Sequence, residues 1–334
     1  CDVAACTFFH SVYTHEQSET ELNKVFAETS QAALAKCFKT KSSRLLQERA
    51  VTRRTEAVDK LRQDHFRRRL AEVTASLNAS HKSSLTGITA TTSASVLFST
   101  SASCIVQPEV TEGPYYVRGE YIRTDMREEQ DGIVMYMDVQ VIDVNTCDPV
   151  KDMYIDLWHA NSTGVYSGVV VQGNGNSADQ SNLQTTFLRG VTPTDKDGVA
   201  QMTSIFPGHY TGRTTHVHFI GNYDTTVLPN NTYSGGHVSH VGQFFFDQDL
   251  ITSVEAIAPY STNKQSITLN SKDQVYSSAS GGGYDPIFQY SLVGDSVEDG
   301  VYAWISVGVD MTAERNVMAR SSFNGDYQKQ YGFS

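Results

Sequence analysis

From residue 135 onward the apolar positions fall on every second residue. Met135, Met137, Val139 and Val141 alternate with Tyr136, Asp138 and Gln140, a period that predicts a half-buried β-strand. The strand halts at Asn145-Thr-Cys-Asp-Pro149, a run of turn formers. Ile155 and Leu157 alternate with Asp156 and Trp158 in the next strand, and Asp197-Gly198 predicts a hairpin-type turn before a strand from Val199 to Phe206. Further strands are expected at His216–Ile220, Gln243–Phe246 and Val301–Val309, with Gly281-Gly-Gly283 in a long loop between the last two. Short strands separated by turns, with no helical pattern between them, predict an antiparallel β-sandwich rather than an α/β sheet. No internal repeat is evident.

Before residue 80 the pattern is helical. Ser18-Glu-Thr-Glu21 has the form of a capping box, and Leu22, Val25, Phe26, Thr29 and Ala33 follow at helical spacing. A second helical run extends from about Ser43 to Val73 with charges of alternating sign and basic clusters at Arg53-Arg54 and Arg67-Arg68-Arg69. These clusters read as a solvated helix face rather than a site for an acidic polymer. Serine and threonine dominate from His81 to Ser103, a composition that buries little and serves as a linker. The expected organisation is a helical segment over 1–79, a linker over 80–103 and a β-domain over 104–334.

Composition narrows the partners. With 334 residues, 39% of them hydrophobic, the chain has room for one large or two ordinary domains and a real core. A net charge of −11 argues against nucleic acid or an anionic membrane surface. No apolar run of about 18 residues is present to span a bilayer. The first residue is Cys1 rather than Met, which fits a removed leader or a trimmed start. The other cysteines are Cys6, Cys37, Cys104 and Cys147, without a Cys-x-x-Cys pair. Asn78-Ala-Ser80 and Asn230-Asn-Thr232 fit the glycosylation pattern, so an extracellular, secreted location is expected.

The candidate chemistry lies in Pro207-Gly-His-Tyr-Thr-Gly-Arg-Thr-Thr-His-Val-His-Phe219. Alternation along a strand puts His216 and His218 on one side and Val217 and Phe219 on the other. Turns at Pro207-Gly208 and Gly212 can fold Tyr210 back toward the imidazoles. A second tyrosine, Tyr166, follows a Gly turn in Trp158-His-Ala-Asn-Ser-Thr-Gly-Val-Tyr-Ser167. Taken alone, a His-x-His pair is also compatible with surface or core histidines that bind nothing.

The paired segments WHANSTGVYSG and SIFPGHYTGRTTHVHF, with CIVQPEVTEGPYYV upstream, resemble the intradiol ring-cleavage dioxygenases, and more closely the secreted fungal branch of that family. The similarity runs from about Cys104 to Asp310. It implies an immunoglobulin-like β-sandwich and a non-haem Fe(III) enzyme that cleaves catechol-type diols with O₂ to muconate-type diacids. It also implies Tyr166, Tyr210, His216 and His218 as the iron ligands. Tyr210 would match the axial tyrosinate that leaves the metal and takes up a proton. Arg213 would stabilise negative character near the ring, and Gln243 would line the site. A small aromatic diol and O₂ would be its partners, with a homodimer formed through the N-terminal helices. A Cys104–Cys147 disulfide fits the secreted branch; of the remaining Cys1, Cys6 and Cys37 one is odd, and Cys6 with Cys37 is only a guess at a second pair. Tyr210 and His216 are only six residues apart, shorter than in the soluble bacterial enzymes, and this implies a more open pocket.

The ligand chemistry agrees with that resemblance. A free phenol ionises near pH 10, so tyrosinate at neutral pH needs a strong Lewis acid beside it, and Fe(III) is one. Structural zinc favours thiolate and imidazole, calcium and magnesium favour carboxylates, and the motif offers neither set. A 2-His-1-carboxylate iron site would need an acid closer than Asp197. Two other readings stay open: a non-catalytic secreted β-sandwich binding module with a structural metal, and a copper oxidase using the histidine pair. Tyr115 and Tyr116 are candidates to border the pocket. His159 is expected to pack or hydrogen-bond inside, His209 neighbours the motif, and His237 and His240 carry no assigned role.

Overall fold

The computed structural model describes residue 30 and residues 32–72, 104–105, 109–280 and 285–323, apart from the side chains of 65–72 and 104–105. Two sheets face each other. One has the order β1 (Cys104–Ile105), β12 (Val301–Val309), β3 (Val134–Asp143), β6 (Val199–Ile205), with β11 (Gln289–Leu292) also paired to β12. The other has the order β10 (His237–Phe245), β7 (His216–Tyr223), β4 (Tyr154–Trp158), β5 (Arg189–Pro193). Two short ladders lie beside them, β2 (Val117–Arg118) with β13 (Ser321–Ser322) and β8 (Thr226–Val227) with β9 (Tyr233–Ser234). Met135, Met137, Val139 and Val141 from one sheet meet Ile155, Leu157, Val217 and Phe219 from the other in a common core. The mainly-β sandwich with an N-terminal helix is therefore present.

The second sheet is antiparallel throughout, whereas the first is mixed, because β12 runs parallel to β3 and β1 runs parallel to β12. Side chains alternate with period two in either direction, so no hydrophobic pattern reveals it. The turn at Asp195–Gly198 forms, with Gly198 at φ +74, but it passes the chain from β5 to β6 in the opposite sheet instead of closing a hairpin. Strands β5 and β11 and the first half of β10 were not foreseen, nor were the helices Gln248–Glu255 and Gln274–Ala279. Their sequences are short, polar or rich in glycine.

The long helix Lys41–Glu72 matches the second helical run, while the capping box at Ser18 and the 80–103 linker lie outside the described residues. It covers the outer face of the β3–β12 sheet. Ser43, Leu46, Ala50, Arg54 and Val58 are buried, three or four residues apart along one stripe. Leu46 packs with Ile142 and Val144, and Val58 packs with Tyr302 and Trp304. The solvated reading of Arg53-Arg54 is corrected here. Both guanidiniums bind the buried carboxylate of Asp138, Arg53 through two bonds of 3.0 Å and Arg54 through one of 3.0 Å. Burial alone would raise the Asp138 pKa, but Arg54 and Arg53 outweigh it and hold it at about 2.

The cysteine pairing also differs. Cys37 is bonded to Cys147, so neither Cys104–Cys147 nor Cys6–Cys37 forms. The strand order gives the reason. β12 separates β1 from β3, which sets Cys104 two strand spacings, about 10 Å, from β3, beyond the roughly 7 Å that a disulfide spans. The turn carrying Cys147 instead meets the helical residues around Cys37, in one cluster with Leu34, Leu46 and Val144. This bond closes a loop with a sequence separation of 110. Cys147→Ser is expected to lower the unfolding free energy by about 2–5 kcal/mol. Denaturant unfolding with and without reductant checks this: reductant should lower the wild-type midpoint and leave that of the variant in place.

Candidate metal centre

Strand β7 is buried on both faces. Val217 and Phe219 enter the core between the sheets, while His216, His218 and Ile220 point the other way under a cap of loops. That cap brings Tyr115, Tyr116, Tyr166 and Tyr210 over the strand. The register then lines up one row across the whole sheet: Arg189 on β5 opposite Trp158 on β4, Trp158 opposite His218 on β7, and His218 opposite Gln243 on β10. Directly paired residues share a face. Trp158 lies flat against the His218 ring, 4.7 Å between centroids and 4° between planes.

Four donor atoms converge on this face. Tyr166 Oη lies 3.3 Å from His216 Nε2 and 3.1 Å from His218 Nε2. Tyr210 Oη is 3.3 Å from His216 Nε2, and the two Nε2 atoms are 3.1 Å apart. His216 Nδ1 sits 2.6 Å from the Thr214 carbonyl. A carbonyl can only accept, so Nδ1 carries the proton and the Nε2 lone pair points at the other three donors.

The loops owe their shape to side chains rather than ladders. Asn161 Oδ1 accepts from the backbone N–H of Thr163 and Val165, which shapes the turn before Tyr166. Asn174 receives the Tyr166 N–H at 2.8 Å, and Asn174 and Asn182 both donate to the Tyr166 carbonyl. Gly164, at φ +80, lets the turn press on the Tyr210 loop, where a Cβ would lie 2.2 Å from the His209 carbonyl oxygen. His209 is buried, with its Nδ1 2.8 Å from Glu255 and its Nε2 3.0 Å from the Gln265 carbonyl. Gln265 in turn reaches the Thr163 carbonyl and the Thr211 N–H.

Electrostatics leave all four donors neutral without a cation. Burial pushes Tyr166 well above the ordinary phenol pKa, with Tyr210 adding to the shift. Tyr210 is pushed up to about 12 by burial, against the pull of Arg213. Burial drives both imidazoles well below the usual histidine value, helped at His216 by Arg213 and at His218 by His216. Among the described residues no group of three or more His, Cys, Asp and Glu could hold a metal ion, so the mixed phenol–imidazole set is the candidate. Two neutral imidazoles and two phenols that a strong Lewis acid would ionise suit a trivalent cation.

Comparison with known proteins places the fold in context. Residues 111–273 match a family model described as Dioxygenase. A solved intradiol ring-cleavage dioxygenase from Tetranychus urticae is 27% identical, with a TM-score of 0.53, covering 64% of this chain and 98% of its own. Over residues 111–273 the chain is similar in sequence and fold to the intradiol ring-cleavage dioxygenases. A second dioxygenase crystal structure, also 27% identical with a TM-score of 0.53, is covered over 99% of its length by 65% of this chain. No curated protein matches.

Arg213 stands beside the four donors. Its Nη1 is 3.5 Å from His216 Nε2, its Nη2 donates to Gln243 Oε1 at 2.5 Å and its Nε donates to Asp273 at 2.8 Å. Gln243 donates onward to the Thr111 carbonyl. Asp273 was not foreseen. Sixty residues from Arg213 in sequence, it looks from the chain like a helix cap, and it does cap Gln274–Ala279 through the Tyr276 N–H. Tyr115 stacks on Tyr166 at 4.5 Å and meets Tyr210 edge-on at 5.7 Å, whereas Tyr116 packs behind Trp158. His159 is buried and bonded to Ser204 and the Ala160 carbonyl. His237, bonded to Glu314, and His240, packed on Phe219, stand apart from the donor set.

The two glycines separate strain from crowding. Gly212, at φ +90, has nothing within 4 Å of a built Cβ, so Gly212→Ala is expected to cost about 1–2 kcal/mol for left-handed backbone alone. Gly164→Ala adds overpacking and is expected to cost more than about 3 kcal/mol. Chemical denaturation of both variants measures the difference.

Proposed function

We propose that Tyr166, Tyr210, His216 and His218 hold a single Fe(III), and that this dioxygenase opens catechol-type aromatic diols with O₂ between the two hydroxylated carbons, giving muconate-type diacids. The carrying observation is the mutual approach of the four donor atoms to 3.1–3.3 Å at the base of an aromatic cap. The chemistry supplied by Fe(III), when bound, is Lewis acidity toward the phenols and the diol, and withdrawal of electron density that opens the ring to O₂.

The chain's own residues do the rest. Tyr166 is anchored through its backbone to Asn174 and Asn182, while Tyr210 opens a tight turn that passes through Gly212 and closes on the Arg213 N–H. Burial holds Tyr210 well above the ordinary phenol value, so its phenolate is a strong base once it is away from a cation. Tyr210 is therefore the phenol suited to move and to take a proton from the incoming diol. Arg213, fixed by Asp273 and Gln243, offers a cation where negative charge develops on the ring. Trp158, Tyr115 and Tyr116 keep water from the donor atoms.

An extracellular location is part of this reading. The Cys37–Cys147 bond and the exposed Asn230 in its glycosylation pattern support it. The homodimer implied for the helices would use the exposed face of Lys41–Glu72, since its other face lies on the protein's own sandwich.

Iron-loaded protein is expected to show a visible tyrosinate charge-transfer band that shifts when catechol is added, and to consume one O₂ per ring opened. Tyr166→Phe and His216→Ala should lose the band. Either variant keeping full absorption and turnover would show the ligand set to be wrong. Arg213→Ala should bind iron normally and turn over about 10²–10³-fold more slowly, as followed by oxygen uptake.

A further inference from the structure

At one end of the cross-strand row stands a buried charge that the chemistry above does not use. Arg189 opens β5 directly opposite Trp158, so its side chain emerges on the face that carries His218. The guanidinium is 1% exposed and its partner Glu120 carboxylate is 0% exposed, with 2.9 Å between them. An ion pair removed this fully from water gains little net stability over an apolar pair of the same size. Its position therefore calls for another explanation.

The remaining bonds of Arg189 supply one. Nη2 donates to the Tyr115 carbonyl at 2.6 Å and to the Ser167 carbonyl at 2.8 Å, and Nε donates to Ser167 Oγ at 3.0 Å. Ser167 follows Tyr166 in the chain, and its hydroxyl donates to the Phe187 carbonyl at 2.6 Å. The two segments that Arg189 joins carry Tyr115 and Tyr166, whose rings stack at 4.5 Å. The loop 159–188 that bears Tyr166 contains only the short turn of helix Gln180–Gln184. Without a ladder of its own, it depends on side-chain donors to fix its backbone.

We propose that Arg189, charged and oriented by Glu120, is a positioning residue that sets the distance of the Tyr166 phenol from the His216–His218 pair by clamping the Tyr115 and Ser167 carbonyls together. The clamp rests on the ligand set proposed above and acts on it from outside, in the way that partners behind a metal ligand tune affinity about 10–100-fold. Gln243, at the opposite end of the same row, holds Arg213 as Arg189 holds Tyr166.

The test compares two ion pairs of equal burial. Arg189→Lys keeps the charge and loses the fork that reaches both carbonyls. Arg54→Lys makes the same change at the Arg54–Asp138 pair beneath the long helix, where the side chains are 1% and 0% exposed. Iron affinity is measured by chelator competition, read from visible absorption, alongside thermal unfolding of the metal-free proteins. Arg189→Lys should weaken iron binding tenfold or more and displace the charge-transfer band, while Arg54→Lys stays within about twofold of wild type whatever its stability. Equal losses in the two variants, or an unchanged affinity and band in Arg189→Lys, would overturn the clamp. Should Arg189→Lys not fold, Ser167→Ala, which removes one hydroxyl from the clamp, is read by the same criteria. Wild-type protein that binds no iron would overturn the ligand set itself, an outcome separate from a wild-type band that both variants preserve.

Discussion

A strand with no solvent face is the constraint behind the whole arrangement. β7 gives Val217 and Phe219 to the core and His216 and His218 to the cap, so a one-residue slip would exchange imidazoles for hydrocarbon on both sides at once. Register is thereby fixed by packing in two directions. The histidine pair inherits its geometry from that packing rather than from any contact between the rings. Polar groups placed there must be satisfied or kept neutral, and the low basicity of both imidazoles follows from the same burial.

Around this strand the two sheets divide the labour. The β3–β12 sheet contributes the hydrocarbon opposite β7 and faces the helix on its far side, so it is structural on both surfaces. The β10–β7–β4–β5 sheet faces that core with one side and carries the candidate donor set on the other. Loops rather than strands then bring the phenols to the imidazoles, as is common where a rigid scaffold presents a site. The Tyr166 phenol reaches the imidazoles from a loop in which asparagines at 161, 174 and 182 stand in for missing ladder bonds.

What the chain made legible was periodic or contiguous. The alternation in 135–141 and at His216-Val-His218 yields strands and faces directly, and Pro207-Gly208 and Gly212 mark the bends around Tyr210. What stayed hidden was long-range. Asp273 looks like a cap and nothing more until Arg213 meets it. Arg53-Arg54 looks like a surface cluster until Asp138, 85 and 84 residues away, is found beneath it. The Cys37–Cys147 bond depends on strand order, which no spacing of cysteines encodes. Parallel pairing of β12 with β3 left no trace either, since both strands alternate as antiparallel ones would.

The burial of Asp138 has a bearing on how the chain can be divided. Its carboxylate lies in the middle of β3, and two of its guanidinium partners arrive from a helix that precedes the sandwich by a stretch of linker composition. Stripped of that helix, the β-core would lose both guanidinium partners of Asp138 and bare the rings of Tyr302 and Trp304 to water. Proteolytic trimming or gene fusion at the boundary therefore meets a penalty that the domain map, drawn from chain order, does not display.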